Sequence, residues 1–252
     1  MLSRARILVA LIIVSCFALG ACSPAAGQTS APASGRLPTP TDTPPAGTFY
    51  FTTEDGVTLN GQIFGHGKTA LVFSNGLNVP KFAWLPVAQR LAGQGYLCLL
   101  YDYRGLSPSQ GRNDLAQRDS DLRAAVAVAR ARGATSVVLV GASFGGTLAL
   151  ALAAQIQPKA AIILSAPLSA DTFTVSEADL KALTIPKLFI ASQDDTRFVG
   201  AVQQMYDLSS EPKQIRIFPG KNHGDSILTT TDTSGEALRL VDTFLHAYAP
   251  AT

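Results

Sequence analysis

The most constraining feature of this 252-residue sequence is the alternation of short apolar segments with helix-like ones from Thr48 to Ala249. Six of the apolar segments are rich in Val, Ile and Leu, as strands buried on both faces of a parallel sheet require. They read TALVFS, YLCLLYDY, SVVLVG, AAIILSA, KLFIAS and KQIRIF. Helical patterns lie between them at 81–94, 115–132, 144–156, 198–209 and 236–248. Because parallel neighbours need crossover connections, this order predicts an α/β fold with helices on both faces of the sheet.

Two further strand-like segments precede these six. TFYFTT and VTLNGQIF flank the turn residues Glu54-Asp55-Gly56, a pattern typical of an antiparallel hairpin. The sequence therefore predicts an eight-stranded, mostly parallel sheet within one domain at 48–252. A hydrophobic content of 47% and a charged content of 15% are consistent with a sizeable core.

The first 21 residues have the pattern of an export signal. Arg4 and Arg6 precede Ile7–Leu19, an uncharged apolar run of 13 residues. A membrane-spanning helix needs about 20 such residues, so the run fits a signal peptide better. It ends in Leu19-Gly20-Ala21-Cys22, which resembles a bacterial lipobox and predicts a signal peptide at 1–21 with lipid attachment at Cys22. The alternative is an ordinary signal peptide and a secreted protein.

The segment that follows, 22–47, has the composition of a tether. It is rich in Pro, Ala, Ser and Thr and has almost no large apolar residue, so it buries too little surface to fold. Together with a lipidated Cys22, such a linker would hold the domain at the outer face of a bacterial cell membrane. The membrane is then one predicted partner.

Charge and cysteine content exclude other classes of function. The net charge of +2 includes Arg4 and Arg6 of the predicted signal, so the mature body has no basic stripe for a nucleic acid. Three Cys and three His residues have no familiar zinc-ligand spacing. Only Cys98 falls in the folded domain, which therefore has no internal disulfide. We expect neither a metal nor a cofactor.

The motif that points to chemistry is Gly141-Ala142-Ser143-Phe144-Gly145, between the strand-like SVVLVG and the helical TLALALAAQI. This is G-x-S-x-G in a strand–turn–helix context, in which the serine hydroxyl stands clear above the sheet on a sharp, strained turn. Side chains two residues to either side would collide with the turn, so glycine is wanted at 141 and 145. The alternative is a glycine-rich turn in which Ser143 only caps the helix.

On these residues the chain resembles the α/β-hydrolase fold family, over essentially all of 48–249. The resemblance implies the chain order nucleophile, acid, histidine. It implies that Ser143 attacks an acyl carbon, that a histidine takes its proton and that a carboxylate orients the histidine.

Three histidines are available as the base. His223 follows the last strand, in IFPGKNHGDS, where the family has its catalytic histidine. His66 precedes Ser143, in FGHGKT, which we interpret as a hairpin turn. His246 lies in the amphipathic terminal helix, where a partly exposed histidine needs no special role. His223 is therefore the predicted base.

The acid is less sharply defined by the sequence. The turn Gln193–Phe198 follows KLFIAS and resembles the acid turn of the family. Ser192 and Phe198 frame Asp195, which we favour, whereas counting from Ala191 selects Asp194 as an alternative. Asp225, two residues after His223, is a weaker competitor.

An oxyanion site needs backbone N–H donors aimed at the developing negative charge. The resemblance implies Phe144, which follows the nucleophile, and Leu77 in the loop after the third strand. The family usually has His-Gly where this chain has Asn75-Gly76, and we expect Asn75 and Asn78 to hydrogen-bond across the loop. Asp102, in a D-x-R-G turn, is assigned no catalytic role.

The segment from Leu168 to Lys187 has room for no large helical cap, so the resemblance is to compact serine-aminopeptidase-like and dienelactone-hydrolase-like members. An uncapped site is shallow and open and fits a small acyl substrate. The leading hypothesis is a serine carboxylesterase acting on small esters or thioesters. The alternatives are a serine aminopeptidase, an acyltransferase, or a non-catalytic binding lipoprotein.

Overall fold

The computed structural model describes residues 47–230 and 232–252. The predicted signal peptide, Cys22 and the linker up to residue 46 lie outside this range. The strands are β1 Thr48–Thr52, β2 Thr58–Phe64, β3 Thr69–Ser74, β4 Leu97–Tyr101, β5 Ser136–Ala142, β6 Ala160–Leu164, β7 Ser169–Ala170, β8 Phe173–Thr174, β9 Lys187–Ser192 and β10 Lys213–Phe218. The α-helices are α1 Leu85–Ala92, α2 Arg118–Ala131, α3 Phe144–Ile156, α4 Glu177–Ala182, α5 Val199–Leu208, α6 Ser226–Thr229 and α7 Ser234–Tyr248, with 3-10 helices at Lys81–Trp84 and Leu115–Gln117.

The main sheet has eight strands in the order β1-β2-β4-β3-β5-β6-β9-β10. The β1–β2 and β2–β4 pairs are antiparallel, and the remaining five pairs are parallel. The predicted α/β fold, with an N-terminal hairpin and a mostly parallel sheet, is confirmed.

Apolar side chains form one layer on each face of this sheet. In the central strand β5, Leu139 packs into one layer, whereas Val138 and Val140 pack into the other. The first layer includes residues of α2, α3 and α5, and the second includes residues of α1 and α7. Since successive strand residues point to opposite faces, both faces of β5 must be apolar, which explains its uninterrupted run of Val and Leu.

The prediction of a hairpin turn around His66 was wrong. The loop 65–68 joins β2 to β3, and these strands are not neighbours, because β4 pairs with both of them. A short glycine-containing loop between two strands predicts a hairpin only if the strands pair with each other. Here the loop crosses the end of β4, and a Cβ on Gly65 would lie 2.1 Å from the carbonyl oxygen of Tyr96.

The segment between β6 and β9 contains small elements that the sequence did not reveal. Strands β7 and β8 form a two-stranded antiparallel hairpin, and α4 begins with a capping box formed by Ser176 and Asp179. There is no large cap in this segment. None of the described helices is both long and apolar enough to span a membrane.

Candidate active site

Ser143 lies on a strained turn between β5 and α3. Its backbone has φ 51° and ψ −121°, a conformation that is unfavourable for a residue with a side chain, and its N–H donates to the carbonyl oxygen of Leu164 at 2.8 Å. A Cβ on Gly145 would lie 2.3 Å from the carbonyl oxygen of Ser74, and one on Gly141 would lie 2.4 Å from that of Gly145. Both glycines of the motif are therefore required by close backbone contacts.

His223 and Asp195 form a hydrogen bond, with 2.7 Å between His223 Nδ1 and Asp195 Oδ2. Asp195 follows β9 and His223 follows β10, and these parallel neighbours bring the two residues to the same edge of the sheet. The Asp195 side chain is only 10% exposed. Within the described residues, neither Asp194, which is exposed, nor Asp225 hydrogen-bonds to His223. Burial raises the pKa of Asp225.

Further contacts restrict the orientation of His223. Its backbone N–H donates to Ser226 Oγ at 2.8 Å, and the Ser226 hydroxyl donates to the His223 carbonyl oxygen at 2.7 Å. The ring of Phe198 lies with its centroid 4.3 Å from that of the imidazole. The imidazole is thus held between a carboxylate and an aromatic ring.

Ser143 opens into a cavity of about 350 Å³. Its lining consists of Leu77, Leu115, Ser143, Phe144, Pro167, Ser169, Ala170, Asp171, Arg197 and Phe198. Phe198 connects this cavity to His223, on which it packs. The residues adjacent to His223 and Ser143 also approach each other closely. A Cβ on Gly224, which follows His223, would lie 3.1 Å from the Cβ of Ala142, which precedes Ser143. The structure therefore brings the serine turn and the His–Asp pair together.

Two backbone N–H groups beside Ser143 are free to bind an oxyanion. Within the described residues, the N–H groups of Leu77 and Phe144 donate to no protein acceptor. Both residues line the cavity. Gly76, which precedes Leu77, lies close to Ser143, since a Cβ on Gly76 would be 3.7 Å from the Ser143 Cβ. Unpaired donors at the start of a helix and in an adjacent loop are the usual components of an oxyanion site.

The asparagines of this loop do not bond to each other, so that expectation was wrong. The Asn75 carboxamide donates to the carbonyl oxygen of Tyr101 at 2.7 Å, and that of Asn78 accepts a hydrogen bond from Asn113 at 3.1 Å. Asn75 is fully buried and Asn78 is exposed, so each side chain finds a partner on a different neighbouring segment.

The remaining titratable candidates lie elsewhere. His66 is exposed in the loop that leads into β3, at the opposite end of that strand from Ser74. His246 lines a groove of about 600 Å³ that includes neither Ser143 nor His223. Asp102 is buried, forms an ion pair with Lys81 and accepts its backbone N–H at 2.7 Å, so it joins two loops. Within residues 47–230 and 232–252, no group of three His, Cys, Asp or Glu side chains could hold a metal ion.

Several cavity residues were not identified from the sequence. Ala170 and Asp171 belong to the β7–β8 hairpin, and Arg197 follows the His-bonded Asp195 by two positions. No motif marks these positions, because their role as lining depends only on how the loops fold over the sheet edge.

The model of the alpha/beta hydrolase family matches residues 71–207, more than half of the chain, and the chain belongs to that family. A polyketide transferase, grgF, from a Penicillium species is 41% identical over 128 residues, which are 47% of this chain and 44% of that protein. The quorum-quenching protein AidA of Acinetobacter baumannii is 35% identical over 114 residues, 42% of this chain and 37% of that protein. Each match spans less than half of the relative's length.

Solved structures support the same fold. The Pyrococcus furiosus esterase Pf2001 superposes with a TM-score of 0.70 at 18% sequence identity, over 80% of this chain and 90% of that chain. At this level of identity the likeness concerns the fold alone.

Proposed function

We propose that the protein is a serine hydrolase in which Ser143 is the nucleophile, His223 the general base and Asp195 the residue that orients the imidazole. The observation that carries the proposal is the 2.7 Å bond between His223 and Asp195 at the sheet edge that also presents Ser143 on its strained turn. Nucleophile, base and orienting acid are the three parts that acyl transfer by a serine requires. The bond also favours Asp195 over Asp194 as the acid.

The proposed reaction has two halves. The Ser143 hydroxyl adds to the acyl carbon while His223 Nε2 takes its proton, and the N–H groups of Leu77 and Phe144 bind the oxyanion. His223 then returns the proton to the leaving alcohol, and the acyl group remains as an ester on Ser143. Water then attacks this ester while His223 takes its proton, and His223 passes that proton to Ser143 Oγ as the bond to the acyl carbon breaks and the carboxylic acid leaves.

The cavity favours small acyl substrates. Its volume of about 350 Å³ is at the lower end for ligand sites, and its walls are largely apolar. We therefore propose a carboxylesterase acting on small esters or thioesters. The alpha/beta hydrolase family membership and the fold shared with Pf2001, an esterase, support this assignment.

The second candidate is acyl transfer, in which another nucleophile replaces water. The identity of 41% with a protein named as a polyketide transferase is the specific observation in its favour. A third candidate, aminopeptidase activity, uses the same residues. Turnover of simple esters, of esters with an added alcohol acceptor, and of aminoacyl amides distinguishes the three.

Hydrolysis of p-nitrophenyl acetate and labelling by a fluorophosphonate test the proposal together. We expect the wild-type protein to hydrolyse the ester and to be labelled at Ser143. The Ser143→Ala variant should fold normally, lose several orders of magnitude in kcat and resist labelling. Wild-type protein that neither turns over esters nor reacts at Ser143 would instead support the non-catalytic binding lipoprotein.

We further propose export and lipid attachment at Cys22, because Leu19-Gly20-Ala21-Cys22 ends an apolar run of signal-peptide length. Mass spectrometry of the mature N-terminus tests this. A lipid-modified Cys22 is expected, and an unmodified one would exclude the anchor and leave a secreted protein.

A further inference from the structure

Arg118 is a buried arginine for which the proposed reaction has no use. Its side chain is fully buried at the start of α2, and Nη2 donates to the Asn113 carboxamide oxygen at 2.8 Å. Within the described residues, Nε and Nη1 have no hydrogen-bond partner and no carboxylate pairs with the guanidinium. The neighbouring Asp121 is bound by Arg104 instead, with 2.8 Å between Arg104 Nε and Asp121 Oδ1.

The Arg118 guanidinium packs on two aromatic rings. Its guanidinium carbon lies 4.4 Å from the ring centroid of Tyr103 and 5.2 Å from that of Phe144. Tyr103 and Phe173 also meet the Phe144 ring edge-on, at centroid distances of 5.9 and 6.0 Å. Cation–π and edge-to-face contacts of this kind fix a ring in place, and they fix Phe144 at the first turn of α3.

Asn113 extends this contact to the loop that follows β3. Its carboxamide accepts from Arg118 and donates to Asn78 Oδ1 at 3.1 Å. Asn78 has φ 57° and follows Leu77 directly. Arg118 therefore contacts the aromatic ring of Phe144 directly. It is linked through Asn113 to Asn78, the residue that follows Leu77. Leu77 and Phe144 both line the cavity, and within the described residues their N–H groups have no acceptor.

We propose that Arg118, Asn113 and Asn78 form a brace that holds the N–H groups of Leu77 and Phe144 in the relative position that binds an oxyanion. Asn113 and Asn78 are then positioning residues, because they touch neither substrate nor Ser143. Two donors stabilise a transition state only if both lie about 2.7–3.1 Å from the oxyanion. Leu77 is 47% exposed, so its own burial does little to hold that geometry. The inference rests on the proposed function.

The first test is a double-mutant cycle. Asn113→Ala removes the side chain that connects Arg118 to Asn78. Asn78→Gly removes the carboxamide of Asn78, and glycine tolerates the positive φ of that position. Each single variant should lower kcat for p-nitrophenyl acetate by about 10- to 100-fold with little change in KM. The double variant should be no slower than Asn113→Ala alone, because the hydrogen bond that Asn78→Gly removes is already absent in that variant. Arg112→Ala, an exposed change in the same loop, is the control and should retain wild-type kcat.

The second test uses no substrate. NMR order parameters of the backbone N–H should fall at Leu77 in Asn113→Ala and stay unchanged at Phe144. Unchanged order at Leu77, fully additive losses in the cycle, or an effect on KM alone would each overturn the brace. A wild-type protein that hydrolyses no ester refutes the proposed function, whereas the order parameters still decide whether the brace exists.

Discussion

The 2.7 Å bond between His223 and Asp195 is the interaction on which the catalytic proposal depends. A carboxylate that accepts a hydrogen bond from Nδ1–H keeps the proton of a neutral imidazole on Nδ1, which leaves Nε2 free to accept a proton from the serine. Because the Asp195 side chain is 10% exposed, its charge acts through a medium that screens it less than water does. The carboxylate therefore both selects the tautomer and stabilises the imidazolium.

Asp195→Asn tests that role. An amide of the same shape can donate to Nδ1 and favour the wrong tautomer, so we expect kcat to fall by about 10⁴-fold with little loss of stability. Asp194→Asn is the matched control, since Asp194 is exposed and its side chain does not bond to His223. Equal losses in the two variants would contradict the assignment of the acid.

The sequence alone does not decide between Asp194 and Asp195 as the acid. Asp194 and Asp195 are adjacent, and both fall in the acid turn, so the motif selects the turn rather than the side chain. Only the backbone path decides: Asp194 N–H donates to the Gly220 carbonyl oxygen while the Asp195 side chain faces His223. Which carboxylate faces the imidazole depends on this long-range contact with the loop after β10.

At the scale of elements, the turn between β5 and α3 combines strain with close packing. Gly145 lies in the first turn of α3, directly against the carbonyl oxygens of Ser74 and Asn75 at the end of β3. This contact sets how near α3 and the loop after β3 approach each other. Strain at Ser143 is tolerated because the surrounding strands and helix determine the path of the chain.

Gly145→Ala should disrupt both stability and activity. The new Cβ would lie 2.3 and 2.5 Å from those two oxygens, so β3 and α3 must separate. We expect a loss of about 1–3 kcal/mol in the free energy of unfolding and a large loss of esterase activity.

Gly200→Ala in α5 is the control, because no heavy atom lies within 4 Å of the new Cβ. It should match the wild type or gain up to about 1 kcal/mol in denaturant unfolding. If Gly145→Ala behaved like Gly200→Ala, the turn would be less tightly packed than described.

Strands and helices with strong patterns were predictable, whereas short elements were not. The pattern at 144–156 gave α3 at its observed bounds, because a glycine-bounded strand precedes a long apolar helix. Strands β7 and β8 have two residues each, which is too short for any periodicity to register. The loop around His66 was misassigned because strand order is a property of the whole sheet.

At the scale of the molecule, the parallel sheet gathers residues that are distant in sequence. Ser143 follows β5, Asp195 follows β9, His223 follows β10 and Leu77 follows β3. The carboxyl ends of parallel strands share one edge, which is where ligands bind in open α/β sheets. Fold class and site location could therefore be derived together from the order of strands and motifs.

The free energy of unfolding should depend on pH in part through Lys187. This residue begins β9, is fully buried, and its Nζ donates to the carbonyl oxygens of Leu183 at 2.6 Å and Ile185 at 2.8 Å. Burial lowers the pKa of Lys187 from 10.5 to about 8. Between these values the unfolded chain binds more protons than the native one, so this residue makes the free energy of unfolding rise with pH.

Denaturant unfolding of the wild type and of Lys187→Met at a series of pH values measures this contribution. The difference in unfolding free energy, wild type minus variant, should increase from pH 8 towards pH 10 and stay constant below pH 7. The comparison removes the titration of all other groups, which the two proteins share. Parallel profiles across the whole range would show that Lys187 titrates normally.

The most direct measurement is the trapping of the acyl-enzyme. The wild-type protein is mixed with p-nitrophenyl acetate, quenched in acid within the first turnover and digested for peptide mass spectrometry. We predict acetyl on the peptide that contains Ser143, accumulating together with the first release of p-nitrophenolate. Ester turnover with Ser143 unmodified, or with acetyl on another side chain, would contradict the assignment of Ser143 as the nucleophile.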